Sequence, residues 1–325
     1  MKKQHLLGLF LLAPVALFLA GPRAEADVTV RLPDLPDDLD AYLREREARF
    51  ADVTPGTEKS IIWRDGERAK KSLSIVYLHG FSATRMETHP LCDTVAARLD
   101  ANLFYTRLTG HGRPGVALGD TTVDDWVNDA VEAVEIGKRI GERVVIIGMS
   151  TGATLAAWLL VHPELRDRIA AVVMLSPNFE PKQKNARVAL WPWGRQILRV
   201  ALGRFRRWEP RNAEQDKFWT TVYPVGAIVT MMSLVDAVDE LDFSAISTPV
   251  LMLYSEDDDT VSVDRIRERF AELAGKQNKI VAVAPSPSGD AHVIAGDIVS
   301  PMGTEPVAGE IIRFIEDVVL GESAD

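Results

Sequence analysis

The sequence predicts an α/β fold: a mostly parallel sheet with helices on both faces, interrupted by one helical insertion. Three observations carry this. From Ser74 onward, short β-branched or apolar runs alternate with longer stretches of helical period, the signature of strand–helix–strand units. The central runs are apolar throughout, as burial on both faces of a sheet demands. The alternation breaks once, between Ser176 and about Ser247, over a stretch too long for a connecting loop. A chain of 325 residues, 46% hydrophobic and 26% charged, can bury such a core without staples.

At the N-terminus, Lys2 and Lys3 precede an apolar run from Leu6 to Ala20, and Ala24-Glu25-Ala26 follows. This reads as a secretory leader cut after Ala26, placing the protein in the periplasm or outside the cell. The alternative is an N-terminal membrane anchor, but the run falls short of the roughly 20 apolar residues a spanning helix needs. No stable span is expected once the leader is gone, and residues 27–325 form the folded domain.

Asp37 to Phe50 forms a charged helix, and Ile61-Ile-Trp63 an edge strand that turns at Asp65-Gly66. Strands follow at Ser74–Leu78, Asn102–Leu108, Arg143–Gly148, Ile169–Leu175, Val250–Tyr254 and Lys279–Val283. The helices between them are Pro90–Leu99, Thr122–Ile140, Thr151–His162 and Val263–Ala274. Pro306–Leu320 closes the chain with an apolar face of Ile311, Ile312, Phe314, Ile315 and Val319. The insertion, about 177–247, opens with Pro177 and Pro181, is basic early (Lys182, Lys184, Arg187) and ends in the apolar stretch Tyr223–Val235. It is expected to be a helical lid over the functional edge of the sheet.

The formal net charge is −10, and losing Lys2, Lys3 and Arg23 against Glu25 with the leader takes it to −12. An acidic protein has no electrostatic case for nucleic acid or anionic lipid, and small neutral substrates fit better. The single cysteine, Cys92, lies in a helical pattern and reads as a buried apolar residue without a disulfide. No His or Cys cluster has metal-ligand spacing, and no cofactor is implied. The oligomeric state is open.

The densest chemical signal is Val144-Val-Ile-Ile-Gly-Met-Ser150-Thr-Gly152, leading into an Ala/Leu-rich helix. G-x-S-x-G between a strand and a helix is the tight turn that lifts a serine hydroxyl above the sheet edge. Residues two either side of the serine would collide, hence glycine at both places. Such a serine needs a base within hydrogen-bond reach and a carboxylate to orient that base.

Beyond Ser150 only two histidines remain. His162 is twelve residues on, about 18 Å along the same helix. Where a serine sits on such a turn its acid and then its base follow it in the chain, so His292, in a glycine-containing loop after the last strand, is read as the base. The acid should follow Val250–Tyr254, where the sequence reads Ser255-Glu-Asp-Asp-Asp-Thr-Val261. Asp258 is preferred, with Val261 three residues on as a hydrophobic peg; Asp259 and then Asp257 stay open. A calcium loop is disfavoured, since the D-x-D-x-D-G spacing is missing.

A tetrahedral oxyanion needs two backbone donors: the N–H of Thr151, next after the serine, and the N–H of Phe81 in His79-Gly80-Phe81. His79 precedes the serine and is read as shaping its loop, as is His111 in Gly110-His111-Gly112. Trp191, Trp193, Trp208, Trp219, Phe218, Met231 and Met232 serve the insertion's own core and an apolar pocket.

With His79-Gly80-Phe81, Ser150, Asp258 and His292 in that order, the chain resembles the α/β-hydrolase superfamily from about Ile61 to Leu320. It looks closest to the bacterial carboxylesterase and monoacylglycerol-lipase-like branch, grouped with the serine aminopeptidase-type lipases. The resemblance implies a serine carboxylesterase or lipase-like enzyme that forms an acyl-enzyme on Ser150 and takes a small neutral or apolar ester. Two departures matter. Three consecutive aspartates blur the acid, and H-G-F-S replaces the H-G-G-G of the hormone-sensitive-lipase-like branch. An aminopeptidase or amidase of the same fold is the rival; it needs a lid anion, for which Glu209, Glu214 and Asp216 are available. Epoxide hydrolases and dehalogenases carry Asp where this chain has Ser150. A non-catalytic binding protein on this scaffold is the remaining alternative.

Overall fold

A computed structural model describes residues 15–24, 26–284 and 290–321. Most of the expected leader, including its cleavage-site Glu25, lies outside them, as do Ser288 and Gly289 of the histidine loop. In chain order the main elements are α1 (Leu39–Glu47), β1 (Ser60–Ile62), β2 (Lys71–Leu78), α2 (Leu91–Arg98), β3 (Asn102–Tyr105), α3 (Val123–Ile140), β4 (Gly141–Met149), α4 (Thr151–Val161) and β5 (Ile169–Leu175). The insertion follows, and then β8 (Val250–Tyr254), α8 (Val263–Glu272), β9 (Lys279–Ala282) and α9 (Thr304–Ile315). One seven-stranded sheet has the order β1-β3-β2-β4-β5-β8-β9; only β1 runs antiparallel to its neighbour.

Strand alternation sorts side chains to the two faces. Val76, Phe104, Val144, Ile146, Val172, Met174 and Met252 point to one side, against Trp126 of α3 and Leu155 and Leu159 of α4. Ile75, Tyr77, Leu103, Val145, Ile147, Val173, Leu251 and Leu253 point to the other, against α2 and α9. Both faces are dry, which is why the strands read as unbroken apolar runs. Thr122 starts α3 with a reciprocal capping box to Asp125. The parallel register sets the carboxyl ends of the central strands level: Leu78 opposite Gly148, Met149 opposite Leu175, Leu175 opposite Leu253. Loops leaving those ends therefore meet above one edge.

Elements fall where expected, with shifted ends. β3 stops at Tyr105 rather than Leu108, because the Leu108 N–H is taken by Nε2 of His79 at 3.0 Å instead of the sheet. The last helix ends at Ile315 and a π-turn carries the chain to Leu320.

The insertion is not purely helical. It holds α5 (Gly194–Leu202), the antiparallel ribbon β6 (Phe205–Arg207) with β7 (Val222–Pro224), α6 (Ala213–Phe218) and α7 (Gly226–Asp239). Ala227, Leu234 and Val238 of α7 join the core around α3 and α4.

One buried ion cluster ties the N-terminal segment to α3. Lys59 donates to Asp129 (2.9 Å) and to Glu132, which also accepts from the Tyr42 hydroxyl (2.6 Å). Burial opposes the ammonium charge, but the two carboxylates outweigh it and hold the Lys59 pKa above its ordinary value. Lys59→Met leaves the buried Asp129 without its cation, while Glu132 keeps Arg46 (3.2 Å), and is expected to cost about 3–5 kcal/mol. The urea midpoint measures this; an unchanged midpoint would refute it.

Candidate active site

Ser150 sits at the junction of β4 and α4 with φ 51 and ψ −113, a left-handed conformation that costs a non-glycine residue about 1–3 kcal/mol. Its backbone is pinned: the N–H donates to Leu175 O (2.8 Å), and the carbonyl accepts from Ala153 and Thr154 (3.0 and 3.1 Å). The flanking glycines are steric necessities. A Cβ on Gly152 would lie 2.0 Å from Leu78 O, and one on Gly148 2.7 Å from Ala153 N.

The three expected side chains meet. Ser150 Oγ is 3.0 Å from Nε2 of His292, and Nδ1 of His292 is 2.8 Å from Oδ2 of Asp258. Asp258 is fully buried, and its other oxygen accepts the Thr260 and Val261 N–H groups (2.8 and 3.0 Å). Asp257 and Asp259 are exposed. A hydroxyl on an imidazole whose far nitrogen is held by a carboxylate can be deprotonated for attack, the carboxylate fixing the tautomer. Burial alone would lower the His292 pKa, but the Asp258 hydrogen bond and charge, with Asp290 and Glu87, raise it above its usual value.

Phe81 lines the cavity above Ser150, and Thr151 is buried at the start of α4. Among the described residues neither backbone N–H has an acceptor, so both remain available to an oxyanion. His79 does shape its loop: Nε2 accepts from Leu108, Nδ1 lies 3.0 Å from Gly80 O, and burial pulls its pKa down to about 4. His111 is buried against His79, with ring centroids 4.9 Å apart. His162 stays at the far end of α4, stacked on Trp158.

The cavity measures about 380 Å³; Trp208, Trp219, Tyr223 and Met231 of the insertion form its apolar wall. Trp191 is instead half exposed, and the Trp193 indole donates to Leu17 O (3.2 Å). Phe218 packs with Trp219 and Ala83, and Met232 lies in a small core with Leu198. A depression of about 430 Å³ elsewhere, by Arg31 and Asn128, has mostly polar and charged walls and does not include Ser150.

Three residues near the site were not anticipated. Ser176 donates to His292 O (2.7 Å). Asp290 accepts from the His292 and Val293 N–H groups (2.8 and 3.1 Å); an Asp two residues before a loop histidine is an Asx-turn signal that could have been read. Glu87, buried against Gly80, has no such local pattern. No described helix is long and apolar enough to cross a membrane, and no described cluster of His, Cys, Asp and Glu could hold a metal.

Comparisons with known proteins agree with this architecture. A thermostable monoacylglycerol lipase from Bacillus sp. (strain H-257) is 29% identical over 90 residues, 28% of this chain. The match spans only 36% of that lipase. Among solved structures, a metagenome-derived lipolytic enzyme superposes with a TM-score of 0.67 at 18% identity, over 82% of this chain and 99% of that one. The monoacylglycerol lipase of Paleococcus ferrophilus gives 0.58 at 18% identity, over 80% and 98%. At such identities the likeness is one of fold, the α/β-hydrolase fold. The family model for Serine aminopeptidase, S33, matches residues 69–286, a stretch that runs from β2 through the serine turn to the end of β9, and this chain belongs to that family.

Proposed function

We propose that this protein hydrolyses carboxylic esters through an acyl-enzyme on Ser150. His292 removes the hydroxyl proton as Ser150 attacks the ester carbonyl and returns it to the departing alcohol. It then activates the water that releases the acid. Asp258 stays ionised and holds the imidazole in the productive tautomer. The N–H groups of Phe81 and Thr151 stabilise the alkoxide of each tetrahedral intermediate. The observation that carries this reading is the unbroken hydrogen-bonded line Ser150–His292–Asp258 at the floor of a cavity.

The apolar wall of Trp208, Trp219, Tyr223 and Met231, with Arg206 beside it, favours an uncharged acyl or alcohol part against those rings, in keeping with the lipases the chain is similar to. An aminopeptidase reading is weaker. Glu209, Glu214 and Asp216 are exposed and none lines the cavity. The two carboxyls that do line it lie outside the insertion: Glu87 is held through Oε1 by Gly80 and Tyr77, and Asp290 by Arg211 and the backbone of His292. A panel of p-nitrophenyl esters of graded chain length, run beside amino-acid naphthylamides, tests the proposal. Ester turnover with negligible naphthylamide turnover is expected; the reverse order would overturn the ester reading.

A further inference from the structure

Beneath the Gly80–Ala83 loop lies a carboxyl that the reaction above does not use. Glu87 ends the single 3-10 turn Arg85–Glu87 and is only 2% exposed. Its Oε1 accepts from the Gly80 N–H and from the Tyr77 hydroxyl (2.8 Å). Its Oε2 has no hydrogen-bond partner among the described residues, and Glu87 is part of the cavity lining. Gly80 is the contact between this carboxyl and the nucleophile: a Cβ built on it would lie 3.0 Å from Oε2 and 3.3 Å from Ser150 Cβ.

Peptide planarity gives this contact its meaning. Two neighbouring N–H groups, those of Gly80 and Phe81, could face a substrate oxyanion. Glu87 takes the first. With the Gly80 nitrogen held there, the Gly80 carbonyl lies 3.0 Å from Nδ1 of His79 and accepts from the Ala83 N–H (3.3 Å). In a trans, planar peptide the Phe81 N–H must point opposite to that carbonyl. The direction of the oxyanion donor is therefore set by what grips Gly80 on both sides.

We propose that Glu87 is the positioning residue of this loop, aiming the Phe81 N–H, and that its charge adds to those of Asp258 and Asp290 around the His292 imidazole, with which it shares the cavity lining. This rests on the assignments of Ser150, His292 and Phe81 made above. Burial is the main cause that pushes the Glu87 pKa up to about 7, with the Gly80 and Tyr77 hydrogen bonds and the nearby His292 restraining it. Its charge thus switches on across neutral pH, while its role as acceptor persists in both states. Tyr77 from β2 and Cys92 from α2 also face it; burial raises both well above their usual values, so they stay protonated there, and Asp290 of the histidine loop, in the same cavity lining, is paired with Arg211. Arg85, on the same turn, is committed to Gly56 O and Ser60 Oγ, and Glu214, Asp216 and Lys217 of the neighbouring α6 are exposed.

The test compares wild type, Glu87→Gln, Glu87→Ala and Ser150→Ala on a short p-nitrophenyl ester from pH 5 to 9, with thermal melts to establish folding. Glu87→Gln keeps an oxygen acceptor and loses the charge. Its kcat at pH 8 should stay within about tenfold of wild type, while the acid limb of kcat/KM collapses to one titration at lower pH. Glu87→Ala frees Gly80 and should lower kcat about 10²-fold, the usual effect of losing one oxyanion donor, with KM little changed. A folded Glu87→Ala with wild-type kcat, or a Glu87→Gln profile that overlays the wild type, overturns the proposal. If Glu87→Ala fails to fold, the Glu87→Gln profile decides. Silent Glu87 variants beside an inactive Ser150→Ala sink this inference alone; full activity in Ser150→Ala sinks the site assignment on which it stands.

Discussion

Ser150→Ala is expected to lower kcat/KM for short aryl esters by on the order of 10⁴–10⁶, and His292→Ala by a similar factor. In the proposed mechanism both residues belong to one proton-transfer unit, so the double variant should be no worse than either single one. Independent contributions would instead multiply, and a multiplied loss would refute the shared unit. Some activity over the uncatalysed reaction should survive, because the Phe81 and Thr151 N–H groups and the cavity remain. Labelling by a fluorophosphonate should vanish in Ser150→Ala; persistent labelling would place the nucleophile elsewhere. The pH dependence follows from the raised His292 pKa. The base works only when neutral, so kcat/KM must fall as pH drops through that value, at a higher pH than for a free imidazole.

Asp258→Asn is the second large effect, about 10⁴ in kcat. The asparagine carbonyl can still accept the Thr260 and Val261 N–H groups, which preserves the loop. Its NH₂ then faces Nδ1 of His292 and selects the tautomer that carries the proton on Nε2, facing Ser150. That imidazole cannot act as a base. Asp257→Asn and Asp259→Asn should stay within about twofold of wild type, since both parent side chains are exposed. Equal losses across the three positions would remove Asp258 from its place behind the imidazole.

Those three aspartates also mark where sequence reading stopped. Ser150 was legible because the turn itself demands small residues: a Cβ on Gly148 would clash with Gly152 and Ala153 of the same turn, and one on Gly152 with Leu78 O of the neighbouring strand, so both glycines sit at fixed spacing from the serine. His292 was legible by distance along a helix, which excludes His162. Asp258 could be preferred but not separated from its neighbours, because burial and the turn from Ser255 to Val261 decide which carboxyl faces inward. Glu87 was silent, since both its partners lie upstream on another strand and its loop. The strands of the sheet were readable from two-sided apolar runs. The β6–β7 ribbon was not: Phe205, Arg206 and Arg207 are all exposed, so no alternation betrays them. Likewise nothing in composition tells Trp208 and Trp219, which face the cavity, from Trp191 and Trp193, which do not.

The buried link from Lys59 to Asp129 and Glu132 has an engineering consequence. The family match opens at residue 69 and closes at 286, so Lys59, all of α1 and β1, the imidazole at 292 and α9 fall outside it. A gene cut at those limits would remove Lys59 from Asp129 and Glu132 and the proposed base, His292, from Ser150. Chimeras built from this protein should carry their crossover points upstream of α1 and beyond α9.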